Sequence, residues 1–193
     1  MLELSRKRSS VGGQLLRIAN RSDVQLLVPD VERDSLFAFG WFSGPEGRVT
    51  LLSMGNAESE IEVSSLEGER ATIQDFLTLE QAGRQMTRMI SIDGKTIGAV
   101  WIELFENHRV KPPSIHILIG DPNYRGKGIG SSVMQAAIEY SKNELHFPTI
   151  YSRHLVSNVV VTLLNESLGF VKDGKPYVDT KGLEWQGIKL EIS

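Results

Sequence analysis

The stretch Ile119-Gly-Asp-Pro-Asn-Tyr-Arg125-Gly-Lys-Gly-Ile-Gly130-Ser-Ser132 decides how this chain is read. Ahead of it, Ile115 to Ile119 is a short apolar run that reads as a strand. Behind it, Ile129, Val133, Ala136, Ala137 and Tyr140 recur at helical spacing from about Gly128. Gly126, Gly128 and Gly130 remove Cβ atoms where main chain must approach something closely, and the first N–H groups of the helix face the same spot without an intrahelical acceptor. Such a site suits phosphate or pyrophosphate. A tight turn that binds nothing also uses glycine. Counting excludes two familiar phosphate loops. Gly120 to Gly126 encloses five residues where a Walker A loop needs four, and Gly128 follows Lys127 where a magnesium-binding hydroxyl belongs. Gly126-x-Gly128-x-Gly130 is one residue short of the dinucleotide fingerprint.

Working outward, Met89-Ile-Ser-Ile92 and Ile97-Gly-Ala-Val-Trp-Ile102 flank Asp93-Gly94, a dipeptide suited to positive φ in a tight hairpin. Two antiparallel strands are expected, at about 86–93 and 96–104. Thr149 to Arg153 reads as another strand. Asn158 to Leu168 is ambiguous, because Val159-Val-Val-Thr162 favours a strand. The spacing of Val160, Leu164 and Leu168, a cap at Ser157 or Asn158, and a stop at Gly169 favour a helix. Trp185, Ile188, Leu190 and Ile192 suggest a terminal strand. Towards the amino terminus the signals fade to a strand at Leu15 to Ile18, an apolar face of Leu36, Phe37, Phe39 and Trp41, and a helix near Ile73 to Met86. The order of elements predicts a mixed α/β (α+β) domain.

Length and composition agree with one domain: 193 residues, 40% hydrophobic and 23% charged, are enough for a full core. Residues 1–13 read as a flexible tail and 14–193 as the single domain. With no cysteine, thiolate metal sites and cysteine nucleophiles are ruled out. The balance of 21 basic against 24 acidic residues argues against general affinity for nucleic acid or an anionic membrane. No apolar run reaches a membrane span and no signal peptide is visible, so a cytoplasmic location is expected. Between Asp30 and Glu69 stand nine acids (Asp30, Glu32, Asp34, Glu46, Glu58, Glu60, Glu62, Glu67 and Glu69) against Arg33 and Arg48. This is either a solvated face or a funnel for a cationic ligand.

Arg125-x-x-Gly128-x-Gly130, after a strand and opening a helix, resembles the acetyl-coenzyme A signature of the GNAT N-acetyltransferases, and the fuller loop resembles their RimJ/RimL-like branch. Asn158-x-x-Val161-x-x-Leu164-Asn-Glu-x-Leu168-Gly-Phe170 resembles the next helix of that family and its Gly-Phe ending. The likeness is strongest over 86–193. It implies the GNAT fold, a central mixed and mostly antiparallel sheet with flanking helices, and acetyl-CoA as cosubstrate with no metal. It further implies that main-chain N–H groups of Arg125, Gly126, Lys127, Gly128, Ile129, Gly130 and Ser131 cradle the pyrophosphate. The backbone of Ile117, Leu118 and Ile119 would pair with the pantetheine arm, and Asn158 would contact it. Lys127 either adds charge there or is a solvated lysine. The acceptor would be a protein or small-molecule amine, and a homodimer is compatible with this reading.

Acetyl transfer to an amine requires a neutral nucleophile, a place for the oxyanion and a proton for the leaving thiolate. A lysine-like amine is neutral in roughly four molecules in ten thousand at pH 7, about 4.6 kcal/mol uphill, whereas an α-amine costs only about 1.1. His116, on the strand before the loop, is one candidate base by resemblance to arylalkylamine acetyltransferases. His154, on the strand flanking the other side of the cofactor slot, is a second. Each can instead be a structural histidine. Glu103 could act as base or anchor the acceptor, as could Glu106; a solvated strand end is the plainer reading of both. The chain has Asn165 where many family members place the tyrosine that protonates coenzyme A, and asparagine has no ionisable proton. Tyr124, Tyr151, Ser167 or water could replace it. This departure raises an alternative, a catalytically silent acyl-CoA-binding module.

Overall fold

The computed structural model describes Ile18 and residues 21–192. The expected tail at 1–13 and, apart from Ile18, the expected strand at Leu15 to Ile18 lie outside the described residues.

The hairpin signal is realised as β2 (Gln85–Ile92) and β3 (Lys95–Glu103), joined by Asp93 and Gly94 at φ 50° and 76°. Positive φ at both central residues gives the turn a twist that matches the strands. An edge strand β1 (Val24–Leu27), which no sequence signal had indicated, pairs with β2. β4 (Ser114–Ile119) pairs with β3, and β5 (Thr149–Leu155) pairs with β8 (Glu184–Glu191). Two-residue strands β6 (Val171–Lys172) and β7 (Tyr177–Val178) finish the sheet against β8. The order is β1-β2-β3-β4-β5-β8-β6, every pairing antiparallel except β4 with β5. It is the mixed, mostly antiparallel sheet with flanking helices that was expected.

Helices cover both faces, which is why β2 is buried along its whole length. On one face, α1 (Val31–Phe42) and α3 (Leu66–Gln81) place Ala38, Trp41 and Ile73 against Met89 and Ala99. On the other, α4 (Ile129–Asn143) presses Ile129, Val133, Met134 and Ala137 onto Ile90, Val100, Ile115 and Ile150. Alternation along the strands sorts the two sets. Burying one such aliphatic side chain contributes about 1.5–3 kcal/mol.

Four details differ from the sequence reading. The helix expected at Ile73 to Met86 begins earlier, at Leu66 behind the Ser65 cap, and stops at Gln81, because residues from Gln85 are drawn into the sheet. Leu36 and Phe39 lie outside the core, since α1 buries Ala38 and Trp41 instead. In α5 (Val159–Ser167), capped by Asn158, Val160 is exposed, while Leu164 and Leu168 pack on the core beside buried Asn165. A helix α2 (Gly44–Ser53), started by Gly44-Pro45, also went unpredicted.

Candidate functional site

β4 and β5 meet at one residue pair, Ser114 with Tyr151, and then separate. Two bonds close this end: the Tyr151 N–H donates to the Pro113 carbonyl at 2.9 Å and the Ser152 hydroxyl to the Ile115 carbonyl at 2.7 Å. Pro113 and Ile115 therefore direct their main chain towards β5, and by strand alternation so do Ile117 and Ile119. The Ile117 amide and carbonyl face the parted edge. Leu118 is a correction to the sequence reading. Its main chain faces β3, where a Cβ on Gly98 would collide with the Leu118 carbonyl, so it has no donor or acceptor for an added strand. The Ile119 carbonyl accepts from Arg125 Nε at 2.9 Å, leaving its amide.

The glycine loop sits at the wide end of this gap. A 3₁₀ turn at Pro122–Tyr124 uses the Arg125 N–H on the Pro122 carbonyl, so Arg125 contributes no main-chain donor to the cradle, another correction. From Gly126 to Ser131 no N–H has an acceptor among the described residues, and the first internal bond of α4 is Ser132 N–H to the Gly128 carbonyl at 3.1 Å. Gly128 caps α4 at φ 74°, a left-handed conformation that costs an L side chain roughly 1–2 kcal/mol. A Cβ at Gly126 or Gly128 would meet nothing within 4 Å, so the donors border open space. At Gly130 it would lie 3.8–4.0 Å from Leu164, Ile117 and Ile119, between β4 and α5.

Arg125 instead fixes the loop from behind. Its guanidinium donates to the carbonyls of Ile119 and Gly120 and to Thr50 Oγ1 of α2, each at 2.9 Å. Trp41 lies so close to Gly120 that any Cβ there would strike its ring. Asn158 accepts from the Val161 N–H at 3.2 Å to cap α5 and donates to the Ser53 carbonyl at 3.2 Å. The amino-terminal helices, the least legible part of the sequence, thus hold both flanks of the gap. A Gly-Pro start was the only signal for α2. Lys127 is exposed, its ammonium 5.5 Å from the Tyr124 ring, and its carbonyl accepts from Arg21.

On the face away from α4, two directly opposed pairs of β3 and β4 form a cluster: Trp101 with His116, and Glu103 with Ser114. The imidazole stacks on Trp101 at 5.3 Å, and Trp101 on Phe76 at 6.3 Å, which fixes the ring plane. His116 Nε2 lies 3.1 Å from Ser114 Oγ and 3.6 Å from Glu103 Oε2, and the serine hydroxyl donates towards Glu103 at 3.4 Å. Burial acts to raise the Glu103 carboxyl, but the hydrogen bond and charge of His116, with further hydrogen bonds from Asn107 and Trp101, outweigh it and hold the group below its ordinary value. With Glu103 ionised and the Ser114 hydroxyl directed to it, the tautomer this geometry accommodates has its ring hydrogen on Nε2; Nδ1 has no hydrogen-bond partner among the described residues. Ser114 is fully buried and shares one ring nitrogen with the carboxylate, which is not the arrangement of a nucleophilic triad.

His154 does not join this cluster. It is buried on the opposite face of β5, with Nδ1 3.0 Å from the Leu155 carbonyl and 3.2 Å from Thr162 Oγ1. Glu106 is exposed beyond the end of β3. Among the hydroxyls considered in place of a tyrosine at Asn165, Ser167 donates to Leu164, Tyr124 lies beneath Lys95 and Lys127, and Tyr151 stands opposite Ser114 at the closed end of the gap. Much of the acidic run has internal partners: Asp30 caps α1, Asp34 binds Arg33 and Thr96, Glu32 pairs with Arg70, Glu58 with Arg48, and Glu60 with Lys181. Among the described residues no group of three or more His, Asp or Glu could hold a metal ion, and no helix is long and apolar enough to cross a membrane.

Comparison with known proteins identifies the family and the fold. The family described as "Acetyltransferase (GNAT) domain" matches residues 26–171. An uncharacterized N-acetyltransferase of Archaeoglobus fulgidus is 42% identical over 55 residues, 26% of this chain and 36% of that protein. The matched region thus spans little more than a third of that relative. Among solved structures, RimL, the ribosomal L7/L12 α-N-protein acetyltransferase in complex with coenzyme A, superposes with a TM-score of 0.76 at 15% identity, covering 93% of this chain and 98% of that one. Spermidine N-acetyltransferase from Vibrio cholerae, in complex with CoA and spermine, gives 0.65 at 19% identity, covering 88% and 96%.

Proposed function

The chain belongs to the family of GNAT acetyltransferase domains, and from that premise we propose that it transfers acetyl from acetyl-CoA to a primary amine by direct attack in a ternary complex. One observation carries the reading: six consecutive N–H groups without an acceptor among the described residues, Gly126 to Ser131, stand at the mouth of a gap whose floor is the unpaired edge of β4. The donor set suits a diphosphate. The Ile117 amide and carbonyl suit the amide-bearing arm of coenzyme A, taken up as an added strand. Bound there, acetyl-CoA supplies an activated acyl group. The residues of this chain provide orientation, exclusion of water and proton handling.

His116 is the proposed base. With Nε2–H directed to Ser114 and Glu103, Nδ1 is the atom that takes the proton of the attacking amine, directly or through one water. Glu103 keeps this tautomer in place and offsets the charge that the ring gains. The RimJ/RimL-like branch, suggested by the loop and by the likeness to RimL, favours a protein amino terminus, whose α-amine costs little to deprotonate. Asn165, buried in α5 without a hydroxyl, favours a second reading as a silent acyl-CoA-binding module.

Coenzyme A thermal shift and a coupled thiol-release assay against amino-terminal peptides and small amines test both. Stabilisation of about 2.7 kcal/mol at one hundred times Kd, with thiol released, is the expected result. Replacing His116 by Ala should lower kcat about a hundredfold and leave the shift intact. Shift without thiol release from any amine selects the silent module. Absence of a shift ends both readings.

A further inference from the structure

The loop from 104 to 113 follows Glu103, the carboxylate beside His116, and borders two adjoining cavities. Asn107 donates to Glu103 at 3.2 Å, and the His108 carbonyl next to it accepts from Arg153 at 3.2 Å. A cavity of about 320 Å³ lies between this loop, the end of α2 at Met54–Asn56, and the hairpin carrying Tyr177 and Trp185. A second, of about 280 Å³, shares Arg109, Arg153 and Tyr177 with it and extends past Lys111.

Their charge is the opposite of that of the chain, which carries a net of -3. Arg109, Lys111, Arg153 and Lys181 line the pair, against Asp173 and Asp179. Most of these groups are already engaged. Asp179 accepts from Trp185 Nε1 at 2.8 Å; Arg153 lies 3.7 Å over the Trp185 ring and bonds Tyr177; Lys181 pairs with Glu60. Arg109 and Lys111 are different. Each stands over a tyrosine ring, at 5.4 and 5.5 Å, and neither has a carboxylate partner among the described residues. Arg109 is also held, with His108, in left-handed backbone at φ 65° and 48°, a conformation that non-glycine residues keep only where the surroundings enforce it. The His108 ring is lowered by burial and then by Arg153, which fits a locally positive field.

We propose that the acceptor amine belongs to a molecule bearing an anionic group, carboxylate or phosphate, and that Arg109 and Lys111 receive that group while His116 takes the amine proton. The inference rests on the amine-acetylation reading above and narrows its substrate class. A polyamine would set like charges against each other in these cavities, and the acidic run that could have attracted it is largely paired internally. An anion here gains charge-assisted hydrogen bonds from a planar guanidinium that no carboxylate among the described residues engages.

The test compares twin acceptors that differ only in the anion: phosphoethanolamine against ethanolamine, and a peptide with glutamate at its second position against the same peptide with glutamine. Spermidine completes the panel. The expected result is a kcat/KM at least about tenfold higher for an anionic twin, falling as salt rises, with the better pair identifying phosphate or carboxylate as the source. In Arg109→Asn/Lys111→Gln the preference should fall to about one. Asparagine tolerates left-handed backbone, so an unchanged melting temperature shows that the variant is folded. Equal twins, a preference for spermidine, or a preference that survives in the folded double variant overturns the proposal. If no amine reacts, the transfer reading fails while this one is still decided by binding. The N-acetylated anionic twin should then stabilise the wild type alone; equal stabilisation by the neutral twin, or none by either, overturns it.

Discussion

The two sides of the proposed reaction are built from different materials. The coenzyme side, from Ile117 through Ser131, offers main-chain groups, with glycines clearing the space before them. The acceptor side offers side chains, among them His116, Glu103, Arg109 and Arg153, drawn from strands and a loop that approach one another only in the folded sheet. Main-chain donors are set by backbone conformation and so impose a local sequence pattern. Side-chain clusters impose none, because their members can come from anywhere in the chain.

The largest effect should follow from placing a side chain in the main-chain region. Gly128→Glu puts a carboxylate and a Cβ into left-handed backbone where the phosphates belong, and the stabilisation by coenzyme A, about 2.7 kcal/mol at one hundred times the wild-type Kd, should disappear. Gly128→Ala separates the two causes. With no atom within 4 Å of the new Cβ, its cost to the protein alone should be backbone strain of about 1 kcal/mol. Melting curves with and without coenzyme A measure both. Retained stabilisation in Gly128→Glu would show that the cradle is not where the coenzyme is held.

A smaller effect is expected where the two materials meet. Arg125 is the side chain that fastens the loop, and Arg125→Ala leaves the Ile119 and Gly120 carbonyls and buried Thr50 without that donor. About 2 kcal/mol of stability should be lost, as for other buried polar groups left unsatisfied, together with a several-fold weaker hold on coenzyme A. Denaturant unfolding and coenzyme titration read the two separately. Weaker binding without lost stability would make Arg125 a direct ligand rather than a brace.

This contrast also accounts for what the sequence disclosed. Asp93-Gly94 announced the hairpin because a two-residue turn needs positive φ, and the glycine loop announced the proposed cradle because Gly126 and Gly128 also take positive φ just ahead of the helix. Both are local requirements. The opening between β4 and β5 was legible only through resemblance, since strand separation is a property of pairing partners far apart in the chain. The parity that turns Leu118 away from the gap could not be read without knowing that Ile115 bonds Ser152. Likewise Thr50 and Trp41 carry no motif, yet they hold the loop, because α1 and α2 fold back beneath it. His116 was visible as a candidate. The surroundings that give its ring a chemical direction, Ser114 two residues before it on β4 and Glu103 across from Ser114 on β3, appear only once the strands pair.

The smallest effect concerns that last arrangement and has a sign that can be worked out. Glu103 is buried, which alone would raise its carboxyl, but the donors around it lower the group below the value of roughly 4.3 that an unfolded chain would show. A depressed folded-state pKa means that the unfolded chain binds the proton more readily, so the stability this carboxylate contributes is present in full above the ordinary value and lost as pH falls through the lower folded value. Glu103→Gln keeps the shape and a hydrogen-bonding oxygen but loses the charge. At neutral pH the wild type should be more stable by about 1 kcal/mol, the scale of one hydrogen bond to a charged group beyond a neutral one. The two stability curves should converge only below about pH 4, in urea melts taken from pH 7 downwards. Convergence well above the ordinary carboxylate value would mean that burial has won, that Glu103 is protonated when the ring needs it charged, and that Nδ1 of His116 has lost the reason to be the free nitrogen.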